Sequence, residues 1–244
     1  MKKVLITGGS EGIGLELAKC FAADGYAVFL CGRSEEKLAR AASLLKDVPV
    51  RTISLDLSAE GNPEKLYAAL KGENIDVVVN NAGIGANGLS WETDPAQDKQ
   101  LIDLNVKAVL VLSRLFLKDM VERKSGEIIN IGSTGAFQPG PRIAAYYASK
   151  AFVLSYTKAM AMEAKEYGIR IYCFCPGPVR TGFYGKYGGK PAGIIFTAEQ
   201  AASYLYRHRG RKCVIIPGWY YRLSLLFPSG VRAKIVEQLK KRKQ

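Results

Sequence analysis

Short apolar segments alternate with longer amphipathic segments along most of this chain. In the amphipathic segments apolar residues recur every three or four positions, which predicts helices, whereas the short apolar segments predict strands. The predicted strands are Lys3–Thr7, Ala27–Cys31, Val50–Ser54, Ile75–Asn80, Glu127–Ile131, Arg170–Phe174 and Cys213–Ile216. The predicted helices are Gly14–Asp24, Ser34–Leu45, Leu101–Glu122, Ala144–Tyr167 and Ala198–His208.

The regular alternation of strand and helix determines the predicted fold. Strands this apolar are usually buried on both faces, as in parallel sheets, and strand–helix–strand units in such sheets cross over right-handed. We therefore predict an α/β fold with one doubly wound parallel sheet of about seven strands and helices on both faces. A length of 244 residues with 48% hydrophobic content suits one such domain.

The loop between the first strand and the first helix is rich in glycine. Its sequence is Thr7-Gly8-Gly9-Ser10-Glu11-Gly12-Ile13-Gly14. Glycine lets the backbone approach a pyrophosphate closely, and the following helix offers free N–H groups and the positive end of its dipole. A tight structural turn is the alternative interpretation, but the position between strand and helix favours a dinucleotide-binding loop.

Further motifs follow in order and together resemble one family. They are Asp56, Asn80-Asn81-Ala82-Gly83, Asn105, Ser133, Tyr146 with Lys150, and Pro176-Gly177 with Val179 and Thr181. With the TGxxxGxG spacing of the loop, they resemble the short-chain dehydrogenase/reductase family over residues 4 to about 218. The resemblance implies a Rossmann-like single domain in residues 1–218 and an oxidoreductase that transfers hydride between a nicotinamide cofactor and a carbonyl or secondary alcohol. The cofactor-binding residues that it implies are Gly8, Ser10, Glu11, Gly12, Ile13, Gly14, Arg33, Asp56, Leu57, Asn80, Ala82, Gly83, Tyr146, Lys150, Pro176, Gly177, Val179 and Thr181.

The end of the second strand distinguishes the two nicotinamide cofactors. NAD requires an acidic side chain there, which accepts hydrogen bonds from the ribose hydroxyls. The 2′-phosphate of NADP is repelled by an acid and prefers arginine. By the resemblance the acid would stand at Gly32, where it is absent, and Arg33 is placed to bind the phosphate, so NADP(H) is the expected cofactor. The alternative is a surface Arg33 paired with Glu36. Some NADP-using relatives carry a basic residue in the loop near Glu11, and Ser10 is a candidate to replace it.

Tyr146 and Lys150 are four residues apart on a predicted helix and therefore share one face. A free tyrosine has a pKa near 10, and a nearby ammonium favours the phenolate and lowers that pKa towards the working pH. Such a pair is usually an ordinary helix surface when it occurs alone. The resemblance identifies Tyr146, rather than the neighbouring Tyr147, as the catalytic acid–base, with Asn105 and Ser133 as its partners.

Three residues have both a functional and a structural interpretation. The resemblance places Asp56, which precedes Leu57, against the adenine amino group, but a loop cap fits equally. Ser133, with Thr134 as a rival hydroxyl, either orients the substrate oxygen or caps a turn. Asn105 lies within a predicted helix, where asparagine is unfavourable. It either anchors a water on the proton route or forms a buried hydrogen bond between helices.

The substrate is indicated only by apolar side chains near Ser133 and in the irregular segment 181–196, whose length is typical of a mobile lid. If they line a pocket, we expect a lipid-like, steroid-like or aromatic carbonyl compound; the alternative is that they pack within the lid. The residues are Phe137, Pro139, Pro141, Phe183, Tyr184, Tyr187, Ile194, Ile195 and Phe196. Rival interpretations of the whole chain are a non-catalytic NADP(H) sensor or scaffold and a membrane-surface module on the same fold.

The net charge of +13 is concentrated at the C-terminus, because residues 205–244 hold eleven Lys/Arg and one acid, a net of +10. Residues 219–244 form a basic amphipathic extension that begins Trp219-Tyr220 and ends in Lys240-Lys241-Arg242-Lys243. Its pattern is typical of peripheral contact with an anionic membrane. The alternative, which we favour slightly, is a helix packed on the protein with a solvated charged tip. No recognition motif supports nucleic acid as a partner.

The remaining features indicate a cytoplasmic protein. Five cysteines, an odd number without a CxxC pair, argue against a disulfide framework and for a reducing compartment. Cys173 and Cys175 lie two apart on a strand and are interpreted as core, so no metal site is expected. No signal peptide or membrane-spanning run is recognised. The resemblance implies a homodimer that pairs through the helices Leu101–Glu122 and Ala144–Tyr167.

Overall fold

A computed structural model describes residues 1–183 and 195–241 of the protein. The strands are β1 Lys3–Thr7, β2 Ala27–Gly32, β3 Val50–Ser54, β4 Val77–Asn80, β5 Glu127–Ile131, β6 Arg170–Phe174, β7 Val179–Arg180, β8 Phe196–Thr197 and β9 Val214–Ile215. The helices are α1 Gly12–Ala23, α2 Glu35–Ser43, α3 Asn62–Leu70, α4 Pro95–Ile102, α5 Ala108–Glu122, α6 Ala144–Glu163, α7 Ala198–His208, α8 Trp219–Ser224 and α9 Ser229–Lys241.

Seven strands form one parallel sheet in the order β3-β2-β1-β4-β5-β6-β9, which confirms the predicted doubly wound fold. The chain moves outward in one direction from β1 to β3 and returns to pair β4 with the other side of β1. At such a switch point the loops diverge, so a crevice opens at the carboxyl ends of β1 and β4. Strands β7 and β8 form a separate two-stranded sheet beside this crevice.

The helices cover both faces of the sheet because each carries one apolar stripe. Helices α1, α2 and α7 bury Leu17, Leu38 and Leu205, respectively, in a cluster on one face. On the opposite face α3, α5 and α6 bury a second cluster that includes Phe116 and Met160. At roughly 25 cal/mol per Å² of apolar surface removed from water, these two clusters supply the main stabilisation of the fold.

Two helical predictions were wrong in detail. The segment Leu101–Glu122 is not one α-helix: α4 ends at Ile102, a π-helical turn spans Asp103–Lys107, and α5 follows. The segment Ala144–Tyr167 is α-helical to Glu163 and ends in a short 3-10 turn, Lys165–Tyr167. The π turn inserts a residue into the helix and turns Asn105 inward, as described below.

Other local expectations can be compared with the structure directly. Ser34, the first residue of the predicted second helix, is the N-cap of α2: its Oγ accepts a hydrogen bond from the backbone N–H of Lys37 at 3.3 Å. Helix α3 was not predicted; Pro63 lies in its first turn and it buries only Leu66 and Leu70 besides that proline. All five cysteines are free thiols. Within residues 1–183 and 195–241, no helix is long and apolar enough to cross a membrane.

Candidate active site

A cavity of about 710 Å³ lies over the carboxyl ends of the sheet strands. Its wall contains every predicted site residue except Gly14, Asn80 and Asn105, which lie behind it. The predicted residues that line it are Gly8, Ser10, Glu11, Gly12, Ile13, Arg33, Asp56, Leu57, Ala82, Gly83, Ser133, Tyr146, Lys150, Pro176, Gly177, Val179 and Thr181. The fold therefore brings residues from seven separate segments to one place.

The glycine-rich loop forms one end of this cavity. Gly8 and Gly12 have φ values of +62° and +59°, a left-handed conformation that costs a residue with a Cβ about 1–2 kcal/mol. A Cβ at Gly14 would overlap the carbonyl oxygen of Gly8, so Gly14 allows the loop to fold tightly rather than lining the cavity itself. Helix α1 begins at Gly12, and the N–H groups of its first turn have no helical partner. A phosphate fits this arrangement.

The motif after β4 supports the loop from below. Asn81 Nδ2 donates to the carbonyl oxygens of Thr7 and Gly8, at 2.9 Å and 3.0 Å. Asn80 is buried, and its Nδ2 donates to Ser113 Oγ at 3.0 Å and to Asn130 Oδ1 at 2.8 Å. Asn80 therefore joins β4 to β5 and to α5 and does not line the cavity, so its contribution to cofactor binding is through this support.

Two basic side chains stand at the far end of the cavity, beyond β2. Arg33 is exposed and lines the cavity, and its alternative partner Glu36 pairs instead with Arg40 at 3.0 Å. Lys37 also lines the cavity, with its Nζ 3.0 Å from Glu11 Oε2. Lys37 was missed in the sequence. Its position, four residues after Arg33 in the first turn of α2, is the signal that could have found it.

Asp56 caps a loop, as its structural interpretation expected. Its Oδ1 accepts from the backbone N–H of Ser58 at 3.0 Å and from Ser58 Oγ at 2.7 Å. Asp56 and Leu57 nevertheless line the cavity. An adenine contact is therefore compatible with the cap.

Helix α6 places Tyr146 and Lys150 on the cavity wall. Lys150 is buried, and its Nζ donates to the carbonyl oxygen of Ile131 at 2.8 Å and lies 5.8 Å from the centre of the Tyr146 ring. Burial disfavours the charged amine and lowers the pKa of Lys150 to about 8, against the opposing influence of Cys173 and Cys175. An ammonium this close to the ring favours the phenolate form of the tyrosine.

The buried Asn105 ties the π turn to the loop after β4. Its Oδ1 accepts from the backbone N–H of Ile84 at 2.9 Å. Its Nδ2 donates to the Ile84 carbonyl oxygen at 2.9 Å and to Ser149 Oγ at 3.2 Å. A Cβ on Gly83 would lie 3.2 Å from Asn105 Oδ1 and 3.6 Å from Lys150 Nζ. The side-chain amide thus forms the buried hydrogen bond between helices that was the structural alternative, close to Lys150.

Ser133 also combines its two interpretations. Its Oγ accepts from the backbone N–H of Gly135 at 3.0 Å and caps a 3-10 turn, Thr134–Phe137. The hydroxyl lines the cavity, and as a donor it keeps its own hydrogen for a substrate oxygen. Tyr147, the rival of Tyr146, packs over Gly140 and also reaches the cavity.

The predicted apolar side chains are divided between cavity and core. Phe183 lines the cavity, with its ring 5.7 Å from that of Tyr146, whereas Phe137 packs into a cluster with Val153. Phe196 lies on β8 and stacks with Tyr220 at 6.5 Å. Pro139 and Pro141 do not line the cavity, and Ile195 is absent from its wall. Tyr184, Tyr187 and Ile194 lie outside the described residues.

The C-terminal extension forms the roof of the cavity, which sequence reasoning did not foresee. Arg232 Nη1 on α9 donates to Gln138 Oε1 at 2.8 Å, and Gln138 lines the cavity. Tyr221 on α8 packs so closely on Gly177 that a Cβ there would overlap its ring. The roof residues are Tyr220, Tyr221, Ser224, Leu225, Arg232, Ile235, Val236 and Leu239. On its inner side, therefore, this extension packs on the protein, as the alternative interpretation of its sequence expected.

Comparison with known proteins gives consistent matches. Residues 2–190 match the family model described as short chain dehydrogenase. The chain is 35% identical over 184 residues to the very-long-chain 3-oxoacyl-CoA reductase of Bos taurus, which covers 72% of this chain and 59% of the relative. The chain thus spans 59% of the length of the bovine protein and of its mouse and rat counterparts.

A solved structure agrees over nearly the whole fold. The short-chain dehydrogenase from Sphingobium yanoikuyae in complex with NADPH superposes with a TM-score of 0.87 at 28% identity. The match covers 97% of this chain and 96% of that one. Because it extends well beyond residue 190, it includes the C-terminal part of the fold that the family model does not reach.

Proposed function

This chain belongs to the short-chain dehydrogenase family, and we propose that it is an NADP(H)-dependent oxidoreductase that reduces the carbonyl of an apolar ketone. The observation that carries the proposal is the arrangement of one cavity. At one end stand Arg33 and Lys37, the glycine loop follows, and the buried Lys150 lies beside Tyr146 at the catalytic end. Binding groups for a phosphorylated dinucleotide thus converge with a proton-transfer pair.

The residues present fit NADP(H). The left-handed Gly8 and Gly12 leave space that side chains would fill, and the first turn of α1 offers N–H groups to a pyrophosphate. Gly32 carries no acid that would repel a 2′-phosphate. Arg33 and Lys37 supply positive charge at that end, partly offset by Glu11. The NADPH complex of the Sphingobium relative supports the same choice.

In the reducing direction, NADPH supplies the hydride, and this chain's own residues manage the carbonyl oxygen and the proton. Ser133 and Tyr146 donate hydrogen bonds to the oxygen and so stabilise the negative charge that develops on it. Tyr146 then gives up its phenolic proton, and the adjacent ammonium of Lys150 stabilises the phenolate that remains. Asn105 holds the loop against which Lys150 packs, and we propose that a water bound there resupplies the proton.

The substrate end of the cavity supports an apolar ketone. Phe183, Leu225, Ile235, Val236 and Leu239 contribute apolar surface there. The name of the bovine relative, a very-long-chain 3-oxoacyl-CoA reductase, favours a lipid-like substrate over a steroid-like or aromatic one. A long acyl chain would remove much apolar surface from water, at about 0.8 kcal/mol per methylene.

The test is an optical screen of ketones and alcohols of increasing chain length with NADPH and NADH. The proposal expects turnover with NADPH that rises with chain length and is absent in Tyr146→Phe. Tyr147→Phe is the matched control, because Tyr147 lies beside Tyr146 in the cavity, with ring centres 6.2 Å apart. NADPH binding without turnover of any ketone or alcohol would favour the second candidate, a cofactor sensor or scaffold.

We further propose a homodimer that pairs through α5 and α6. Phe152 and Tyr156 stack on α6 with ring centres 5.6 Å apart and are only partly buried. Light scattering of wild type and Phe152→Glu tests the pairing, and a dimer unaffected by the charge would place the interface elsewhere. A cytoplasmic location with peripheral contact at an anionic membrane stays a prediction, supported by the net charge of +10 over residues 205–244.

A further inference from the structure

The roof of the cavity has a second apolar surface on its outer side. Trp219 and Leu226 are 72% and 79% exposed, and Phe227, Val231, Ile235 and Leu239 are exposed beside them. We call these six residues the outer roof face. Exposed apolar side chains that are scattered singly are common, but six of them within residues 219–239 indicate an interaction surface.

Two residues of the outer roof face also line the cavity. Val231, Ile235 and Leu239 are four residues apart and so share one stripe of α9; Val231 is exposed and does not line the cavity, whereas Ile235 and Leu239 do line its wall. Val236, the next residue after Ile235, lines the cavity as well. An apolar molecule moving past this edge of α9 therefore stays in contact with apolar side chains from the outside to the inside.

This edge lies near the catalytic end of the cavity. The bond from Arg232 to Gln138 joins α9 to the residue that ends the 3-10 turn Thr134–Phe137. Ser133 caps the other end of the same turn. A chain that enters beneath α9 is thus delivered towards the hydroxyl proposed to hold the substrate oxygen.

Resting on the proposed function, we propose that the outer roof face docks on an anionic lipid surface and that the ketone substrate enters the cavity from this lipid beneath α9. Charge decides between lipid and a second copy of the chain. Residues 219–244, the segment that contains this face, hold seven Lys/Arg and one acid, a net charge of +6, which attracts an anionic bilayer and repels an identical face. Apolar side chains within a basic surface are typical of interfacial binding.

The chain contains two tryptophans, which provide a matched pair of reporters. The variant Trp91→Phe keeps only Trp219, on the outer roof face. The variant Trp219→Phe keeps only Trp91, which is 80% exposed and lies in a different segment. Vesicles of phosphatidylcholine with phosphatidylglycerol are expected to shift the Trp219 emission to the blue, and brominated lipid to quench it. Trp91 is expected to show neither effect. An unchanged Trp219, or equal effects on both reporters, overturns the docking.

Delivery of the substrate is tested with the double variant Leu226→Ser/Phe227→Ser, which changes exposed side chains outside the cavity wall. Its rate with a long-chain ketone dissolved in vesicles should fall about tenfold or more, while its rate with a short water-soluble ketone stays at the wild-type value. Leu44→Ser, an exposed leucine beside α2, is the control and should leave both rates unchanged.

The outcomes separate this proposal from the proposed function. Wild-type protein that reduces neither ketone contradicts the proposed function. Wild-type protein that reduces both, with a double variant equal to it on vesicles, contradicts the entry route alone. A double variant that loses its oligomeric state but still binds vesicles would assign the outer roof face to a second copy, and that also overturns the proposal.

Discussion

Replacing Arg33 by alanine is expected to weaken NADPH binding while leaving NADH binding nearly unchanged. The two cofactors differ only in the 2′-phosphate, and Arg33 stands where β2 ends, with no acid at Gly32. A hydrogen bond to a charged group contributes about 1.5–3 kcal/mol. Because Arg33 is exposed, solvent screening puts the expected loss at the lower end, about tenfold in Kd.

The neighbouring charges sharpen this prediction. Lys37 is half-exposed and paired with Glu11 at 3.0 Å, so the loss from Lys37→Ala should be smaller than that from Arg33→Ala. Glu11→Gln should strengthen NADPH binding, since it removes a negative charge from the same end of the cavity. Arg40→Ala is the matched control, because Arg40 lies on the same helix, pairs with Glu36 and does not line the cavity.

The assay is fluorescence titration of both cofactors with wild type and the four variants, at low salt and at about 0.5 M KCl. Salt should reduce the preference for NADPH, because the charges concerned are exposed. Equal weakening of NADPH and NADH in Arg33→Ala would refute the reasoning, since Arg33 would then act on the adenine or on the loop. If Arg40→Ala weakened NADPH binding as much as Arg33→Ala, the effect would be one of net charge and not of a contact made by Arg33.

Three further predictions concern the catalytic end. Tyr146→Phe should abolish ketone reduction, measured by NADPH absorbance, while NADPH affinity stays at the wild-type value; turnover near that of wild type would reject Tyr146 as the acid. The folded-state pKa of Lys150, about 8, lies below its ordinary 10.5, so the unfolded chain binds more protons between these values and the Lys150 contribution to stability rises with pH there. Denaturant titrations of the cofactor-free protein should therefore show that the unfolding free energy of wild type rises relative to that of Lys150→Met between about pH 8 and 10.5. A difference in unfolding free energy that stays constant over this range would contradict the burial of Lys150. Gly83→Ala should cost about 1–3 kcal/mol of unfolding free energy and lower kcat, because its Cβ would lie 3.2 Å from Asn105 Oδ1, whereas Gly230→Ala, with open space around it, should be near neutral.

Features that depend on neighbours in sequence could be predicted well. Most strands of the seven-stranded sheet are apolar because both of its faces are covered, and all seven lie within two residues of their predicted bounds, including the mostly exposed edge strand β3. The two-residue strands β7 and β8 are too short to show a pattern and were not predicted. Ser34 could be predicted as a cap because an N-cap is a contact within one turn. Helix α3 could not be predicted, since its nine residues bury only three side chains and hence show little apolar periodicity.

The π turn illustrates a feature that requires a distant partner. Apart from Asn105, which is unfavourable within an α-helix, nothing local in Asp103–Lys107 distinguishes this segment from the helices on either side. The turn is stabilised by Asn105, whose amide satisfies both backbone groups of Ile84, 21 residues earlier in the chain. The resemblance identified Asn105 as important, but which of its atoms bond to which partner depends on the packing of two segments.

The C-terminal extension was hard to interpret because its two sides serve different surroundings. An amphipathic helix on a soluble domain is expected to be apolar inside and polar outside, and a membrane-bound helix has its apolar side outward. Helix α9 has apolar residues on both sides, with Val236 in the cavity and Val231 exposed. The sequence pattern averages these two surfaces, so it suggested two alternatives; the structure shows the packed inner side and leaves other apolar side chains exposed. A roof that contacts an apolar substrate inside and lipid outside, as proposed above, requires this composition, whereas a segment that only closed the cavity would gain nothing from exposing Leu226 and Phe227 between α8 and α9.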